Sequence, residues 1–218
     1  MNGKKLNILL VDDHEVVQAG FKMLLSAYEQ FNQIDTANSG EEAIQLYKKL
    51  QPDIVVMDIS MPGIGGLEAI RKIVKISPDA MILVYSIHDS AIYTERALQA
   101  GARGFINKNS AANCLAEAIL SVSAGNIFLD DTQPKAEPSV QKAKESQNPN
   151  TPVELLSPKE FDVFCLLAKG LNGHEISENM CLGYKTIANY STRIKNKLNA
   201  NTTVELTHIA LAAGVLKV

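Results

Sequence analysis

The sequence predicts a two-part protein: a doubly wound α/β sandwich on a parallel sheet, then a linker, then an all-α unit of four helices. Three observations predict it. Apolar runs alternate with helical periodicity through the first 125 or so residues. The stretch 130–152 holds half of the chain's 8 prolines and no aromatic residue. Beyond it, capping boxes open short amphipathic patterns. The divisions expected are 1–126, 127–152 for the linker, and 153–218.

The elements follow in order. Leu6–Val11 is a short buried strand, and Gln33–Ala37 a weaker one. Ile54–Met57, Ala80–Tyr85 and Gly104–Asn107 are three more. Continuous apolar runs mean burial on both faces, as in parallel sheets. Between them, Val17, Gly20, Phe21, Leu24 and Leu25 follow the helical stripe, as do Leu115, Ala118, Ile119 and Val122. Five strands alternating with five helices give the doubly wound topology. The proline-rich stretch buries too little apolar surface to offset its ordering entropy and reads as a flexible linker.

In the last part, Ser157-Pro158-Lys159-Glu160 is a capping box with proline at the first helical position. Phe161, Phe164, Cys165 and Ala168 line one face, and Gly170 stops that helix. A second short helix opens at Asn172, with Ile176 and Met180 inward, and Cys181-Leu182-Gly183 forms the turn. The third helix, 184–198, buries Ile187, Tyr190, Ser191, Ile194 and Leu198. Thr202-Thr203-Val204-Glu205 opens a fourth, with Val204, His208 and Leu211 on one face.

Composition excludes several classes. The chain has 218 residues, 46% hydrophobic and 21% charged, as soluble globular proteins do. No apolar run approaches the roughly 18 residues of a membrane span. The basic start, Met1 to Lys5, is followed by an apolar run broken by Asp12-Asp13, so no secretory signal is expected. Cys114, Cys165 and Cys181 are scattered, without metal or disulfide spacing, which fits a reducing cytoplasm. Net charge is −3, yet 184–198 carries Lys185, Arg193, Lys195 and Lys197 with no acid.

Ligands in such sheets bind outside the carboxyl ends of the strands. There the sequence places Asp12-Asp13, Asp58, Ser86 and Lys108. At about 4 Å and an effective dielectric near 20, each carboxylate pair repels by roughly 4 kcal/mol, so a cation is needed. All-oxygen ligands with room for water suit Mg²⁺. A carboxylate beside such an ion and an ammonium is a nucleophile for phosphoryl transfer. Any one of these aspartates could merely cap a helix; all five groups together point to a site.

The helical unit reads as a helix-turn-helix, two short helices joined tightly, the second basic and amide-rich. Asn189 or Asn196 could pair with adenine, and Arg193 with guanine or phosphate. Lys185 and Thr192 share that face, and a solvated amphipathic helix is the plain alternative.

Val11-Asp12-Asp13-His14, Met57 to Gly63, Ser86 and Phe105-Ile106-Asn107-Lys108 resemble the receiver domain of two-component response regulators, with its flavodoxin-like fold. The resemblance implies that Asp58 accepts a phosphoryl group from a histidine kinase. Asp13, Asp58 and the Ser60 carbonyl would ligate Mg²⁺, with Asp12 acting through water. Ser86 and Lys108 would hold the phosphoryl group, and Phe105 stands at the switch position where tyrosine is common. Ser60 and His88 would tune dephosphorylation. Leu156 to Glu160, Gly170-Leu171, Glu175-Ile176, Lys185-Thr186-Ile187 and Lys197-Leu198 resemble the LuxR-type helix-turn-helix of NarL/FixJ regulators. That adds Thr186 and Lys197 to the implied DNA-contacting residues. Gly183 replaces the usual capping serine and Ala188 a common lysine. Met57–Ala69 and Val204–Ile209 resemble the GacA/UvrY/SirA/LetA subgroup in particular.

The subgroup implies a BarA/GacS-type hybrid sensor kinase and control of small regulatory RNA genes that antagonise CsrA/RsmA. Promoter DNA, RNA polymerase and a second copy are the implied partners, and no membrane. Val204, Leu211 and Val215 are the candidate dimer surface. The expected molecule is a regulator, not an enzyme. A haloacid-dehalogenase-type phosphatase would need D-x-D after the first strand. The remaining alternative is a regulator that binds DNA without phosphorylation, its receiver serving structurally.

Overall fold

A computed structural model describes residues 5–87, 91–110, 112–130 and 152–216. The chain divides into two compact units, described separately here.

The first unit is a parallel sheet of six strands in the order β2-β1-β3-β4-β5-β6. The strands are β1 Leu6–Val11, β2 Phe31–Ala37, β3 Ile54–Met57, β4 Ile82–Ser86, β5 Gly104–Asn107 and β6 Phe128–Leu129. The helices are α1 Glu15–Leu25, α2 Gly40–Leu50, α3 Gly66–Ile76, α4 Ala91–Ala100 and α5 Ala112–Ser123. The doubly wound fold is as expected, with a sixth strand added. Gly104 and Phe105 pair with Phe128 and Leu129. The sheet therefore extends into residues assigned to the linker, whose remaining span, 131–151, lies outside the described residues.

β3 and β5 are buried along their length, and β1 and β4 at most positions, because helices cover both faces. On one face Ile8, Leu10, Ile54, Val56, Leu83 and Ile106 pack against Phe21 and Leu25 of α1 and Leu115, Ile119 and Val122 of α5. Helix α1 departs from its expected stripe. It buries Gln18, Phe21 and Leu25, half-buries Val17 and Leu24, and leaves Gly20 exposed. The reason is hydrogen bonding. The Gln18 amide donates to the Asp12 carbonyl at 2.6 Å and Asn38 Oδ1 at 2.8 Å, so a polar side chain can go inward.

The second unit opens with a 3₁₀ turn, Pro152–Leu155, followed by α6 Pro158–Ala168, α7 Gly173–Asn179, α8 Tyr184–Leu198 and α9 Thr203–Ala212. Ser157 and Glu160 form the expected capping box, and Asn172 with Glu175 forms another. Phe161, Phe164, Cys165 and Ala168 are buried, and Gly170 takes φ +90° after α6. Helix α8 spans the predicted residues. It buries Ile187, Ile194 and Leu198, while Tyr190 and Ser191 are only half-buried. Helix α9 buries Leu206 and Ala210, leaving Val204, His208 and Leu211 exposed.

At the start of α3, Gly66 lies so close under the site that a Cβ there would run into the Asp58 carbonyl oxygen. Backbone cannot yield as a side chain does. Gly66→Ala is expected to destabilise the protein by about 2–3 kcal/mol, measured as a fall in thermal unfolding temperature of the full chain.

Candidate functional site

Parallel β1, β3, β4 and β5 bring their carboxyl ends to one edge. Asp12 follows β1 directly, and its amide donates to the Ala37 carbonyl. Asp58 follows β3, its amide donating to the Val11 carbonyl. Ser86 is the last residue of β4, one position inside the strand rather than beyond it, and is fully buried. The Lys108 amide donates to the Ser86 carbonyl at 2.7 Å, which fixes the lysine next to the acids.

The Lys108 ammonium is the centre of the arrangement. It donates to Asp12 Oδ2 at 2.6 Å and Asp58 Oδ2 at 2.7 Å. Its side chain is 12% exposed, and Asp12 and Asp58 are buried. Burial alone would lower the lysine's pKa, but Asp58 and Asp12 outweigh it and hold the ammonium above its usual range. Burial raises the Asp58 carboxyl despite Lys108. The Tyr85 ring lies under the ammonium, 5.7 Å from its centroid.

The other oxygens differ in their partners. Asp12 Oδ1 accepts from the His14 amide at 2.9 Å, and Asp58 Oδ1 from the Ser60 amide at 3.2 Å. Asp13 Oδ1 is 3.1 Å from His14 Nδ1, but the geometry is not a hydrogen bond, and this buried oxygen has no hydrogen-bond partner. Ligand atoms of Asp12, Asp13, His14 and Asp58 lie within 4.8 Å of one another. An unsatisfied carboxylate oxygen among hard oxygen donors fits a hydrated Mg²⁺.

Thus Asp12, Asp13, Asp58, Ser60, Ser86 and Lys108 come together at one edge. Phe105 is wholly buried in the sheet, held by packing. His88 lies outside the described residues. Two residues at this edge were not singled out from the sequence. Gln18 ties α1 to the ends of β1 and β2, and Tyr85 shields Lys108. Gln18 was legible only as a polar residue on the inward side of an amphipathic stripe.

In the helical unit, Lys185, Thr186, Asn189, Thr192, Arg193 and Asn196 are all exposed on α8. Lys197 differs. Its ammonium donates to Glu160 Oε2 at 2.6 Å and to the Leu155 carbonyl at 3.1 Å, so it ties α8 to the cap of α6. Burial raises the Glu160 carboxyl, but hydrogen bonds from Lys197 and Ser157 outweigh it and hold the group below the usual range. Val204 and Leu211 lie on the surface of α9, and Val215 is half-buried beyond it. Among the described residues, no helix is long and apolar enough to cross a membrane.

Comparison with known proteins agrees in both units. Residues 8–120 match the response regulator receiver domain, and residues 154–210 match the bacterial regulatory proteins of the luxR family. The response regulator UvrY of Escherichia coli K12 is 36% identical, over 96% of this chain and 95% of its own. The response regulator GacA of Pseudomonas aeruginosa is 33% identical, over 97% and 98%. The RcsB response regulator of Salmonella typhimurium shares the fold with a TM-score of 0.68 at 22% identity, over 97% of this chain and 99% of that one.

Removing the ammonium at residue 197 leaves the buried Glu160 carboxylate without its cation. Lys197→Met is expected to cost about 2 kcal/mol, less than a fully buried pair because the lysine is partly exposed. A carboxyl held low in the fold stabilises it above the ordinary glutamate range, and loses that contribution as pH falls through its folded value. The gap in unfolding temperature between wild type and variant should therefore narrow below that range, as calorimetry across pH would show.

Proposed function

Because the chain belongs to the two-component response regulators with a LuxR-type helix-turn-helix, the NarL/FixJ family, we propose that Asp58 is its phosphoacceptor and that phosphorylation switches promoter binding. Members of this family are transcription regulators, not enzymes, and are phosphorylated by sensor kinases. The likeness to UvrY and GacA supports the GacA/UvrY subgroup. The observation that carries the assignment of Asp58 is the Lys108 ammonium held between Asp12 and Asp58 beside an Asp13 oxygen that accepts no hydrogen bond.

In this reading an Asp58 carboxylate oxygen attacks the phosphorus of a phosphohistidine on a hybrid sensor kinase. The P–N bond breaks and a carboxyl–phosphate anhydride forms. Asp13, Asp58 and the Ser60 carbonyl would hold Mg²⁺, with Asp12 through water. The ion, when bound, supplies positive charge for the equatorial oxygens. Lys108 releases Asp58 Oδ2 and pairs with the incoming group. Ser86 offers its hydroxyl from the end of β4, and Phe105 responds by packing alone. Ser60 and His88 set how readily water reaches the anhydride.

The product carries about −1.5 to −2 added charge at the sheet edge. Residues 1–126 and the short β6 form the receiver, and 127–152, less those strand residues, tether it to the DNA-binding domain at 153–218. There Lys185, Thr186, Asn189, Thr192, Arg193 and Asn196 face promoter DNA. Lys197 positions α8 instead of contacting DNA. Val204, Leu211 and Val215 are the candidate surface for pairing DNA-binding domains. The implied setting is the cytoplasm, and the implied targets are genes for small RNAs that antagonise CsrA/RsmA, with RNA polymerase as a further partner.

Incubation with Mg²⁺ and acetyl phosphate is expected to add one phosphoryl group by intact mass, and Asp58→Asn to abolish it. A gain that persists in Asp58→Asn would place the acceptor elsewhere. Arg193→Ala is expected to weaken binding of the full chain to a promoter fragment by roughly 1–3 kcal/mol, read by fluorescence anisotropy at fixed salt. Promoter binding identical with and without the phosphoryl group would favour the phosphorylation-independent alternative.

A further inference from the structure

We propose that Tyr184 is a further DNA-contacting residue, its phenol hydroxyl donating to a backbone phosphate of the duplex, and that His174 is the positioning residue that holds its ring for that contact. The inference rests on the reading above that α8 meets promoter DNA, and it adds to that surface a neutral phosphate donor held jointly by α7 and α8.

Tyr184 is the first residue of α8 and is 52% exposed. Its ring stacks on the His174 imidazole, with centroids 4.3 Å apart and planes 18° from parallel. His174 is itself exposed, in the first turn of α7. Ile176 of α7 and Ile187 of α8 are buried instead, so the ring pair lies at the surface and not in the core. Gly173 makes room for it. A Cβ there would lie 2.8 Å from Tyr184 Cε2 and push the ring aside. Gly173 has no positive φ, so the ring, and not the backbone, is what asks for glycine. Stacking holds the tyrosine in one orientation, which reduces the side-chain freedom lost when its hydroxyl bonds a ligand. Among the described residues, that hydroxyl has no hydrogen-bond partner.

The place of the pair decides its ligand. In a helix-turn-helix the first residues of the second helix reach the groove, while the first helix crosses the backbone. The stack joins the start of α7 to the start of α8, where groove gives way to backbone. Lys185, Asn189, Thr192 and Asn196 follow helical spacing and form the outward stripe of α8. Tyr184 lies off that stripe, on its flank, where a side chain meets the strand edge and not the base edges. Ala188, one turn on, is exposed and carries only a methyl group, too short to cover the phenol. Lys185 and Thr186 follow Tyr184 and are exposed with it, and the sequence holds no acid from 179 to 204. A phenol hydroxyl donates to phosphate oxygens, and such contacts fix register without reading sequence.

The test is fluorescence anisotropy of the full chain on a promoter fragment and on an unrelated duplex, at fixed salt. Thermal unfolding of each variant checks that it folds. Tyr184→Phe keeps the ring and its stack and removes only the hydroxyl. It is expected to weaken binding about three- to tenfold, on both duplexes alike. Gly173→Ala and His174→Ala should each weaken binding too, by displacing or freeing the ring. His174→Phe, which keeps a flat ring, should restore it, and His174→Ala should cost nothing further once the Tyr184 hydroxyl is gone. Wild-type affinity in Tyr184→Phe overturns the proposal. A loss confined to the promoter fragment assigns the phenol to a base and overturns the phosphate contact. A His174→Phe variant as weak as His174→Ala overturns the positioning role. Arg193→Ala separates this inference from the reading beneath it. If neither Arg193→Ala nor Tyr184→Phe changes binding, α8 is not the DNA surface and both fall; if Arg193→Ala alone does, only this inference falls.

Discussion

The receiver turns on one ammonium placed between two buried carboxylates. Lys108 ends the connection from β5 and reaches Asp12 after β1 and Asp58 after β3. These strands are far apart in sequence; in the sheet β1 and β3 are adjacent, and β5 lies two strands from β3 and three from β1. Only a parallel arrangement sends all their carboxyl ends to one edge. Without the lysine the two acids would be buried together with uncompensated charge, an expensive arrangement. In the reading proposed above, the same pairing leaves Asp58 available, because the bond to Lys108 can be exchanged for one to a phosphoryl oxygen without stranding a charge. The continuous apolar strands therefore do more than fill a core. They fix three termini along one edge, where the long lysine side chain spans the strands between and a short side chain such as aspartate cannot compensate for a misplaced backbone.

The site was legible because strand ends can be read from composition. Leu6–Val11 and Ile54–Met57 are apolar to their last residue, and the next letter is aspartate in each. What was illegible had local signals that pointed elsewhere. Phe128 and Leu129 make a two-residue strand beside linker-like sequence, and only pairing with β5 defines it. Helix α1 was misread by its apolar stripe alone. Gln18 goes inward because three acceptors wait at the ends of β1 and β2, a fact no helical wheel contains. In the helical unit, Val204, His208 and Leu211 follow helical spacing, yet the inward residues of α9 are Leu206 and Ala210. Spacing identified the helix, and packing chose its face.

Lys197 shows the same limit in a functional setting. By position on a basic helix it resembles a phosphate contact. Its partner lies 37 residues earlier, in the capping box of α6. Glu160 thereby performs two tasks: it closes the first turn of α6 through the Ser157 amide and anchors the end of α8 through Lys197. Arg193, one turn before, has no such tie among the described residues and is exposed. The basic helix thus divides its cations between holding itself in place and facing outward, and rigid placement matters because base readout needs donors held at fixed positions.

The two ends of the receiver's logic meet at the junction of β1 and α1. Asp12 and Asp13 close the strand, His14 is the N-cap of the helix, and Glu15 opens its first turn. Gln18 binds that helix back to the carbonyl of Asp12. The acidic edge and the first turn of α1 are thus joined by one buried side chain. Reversing a 1:99 distribution between two states takes about 5.5 kcal/mol, and a buried, hydrogen-bonded tie of this kind can carry a bias from the acidic edge into α1 that solvent would otherwise screen.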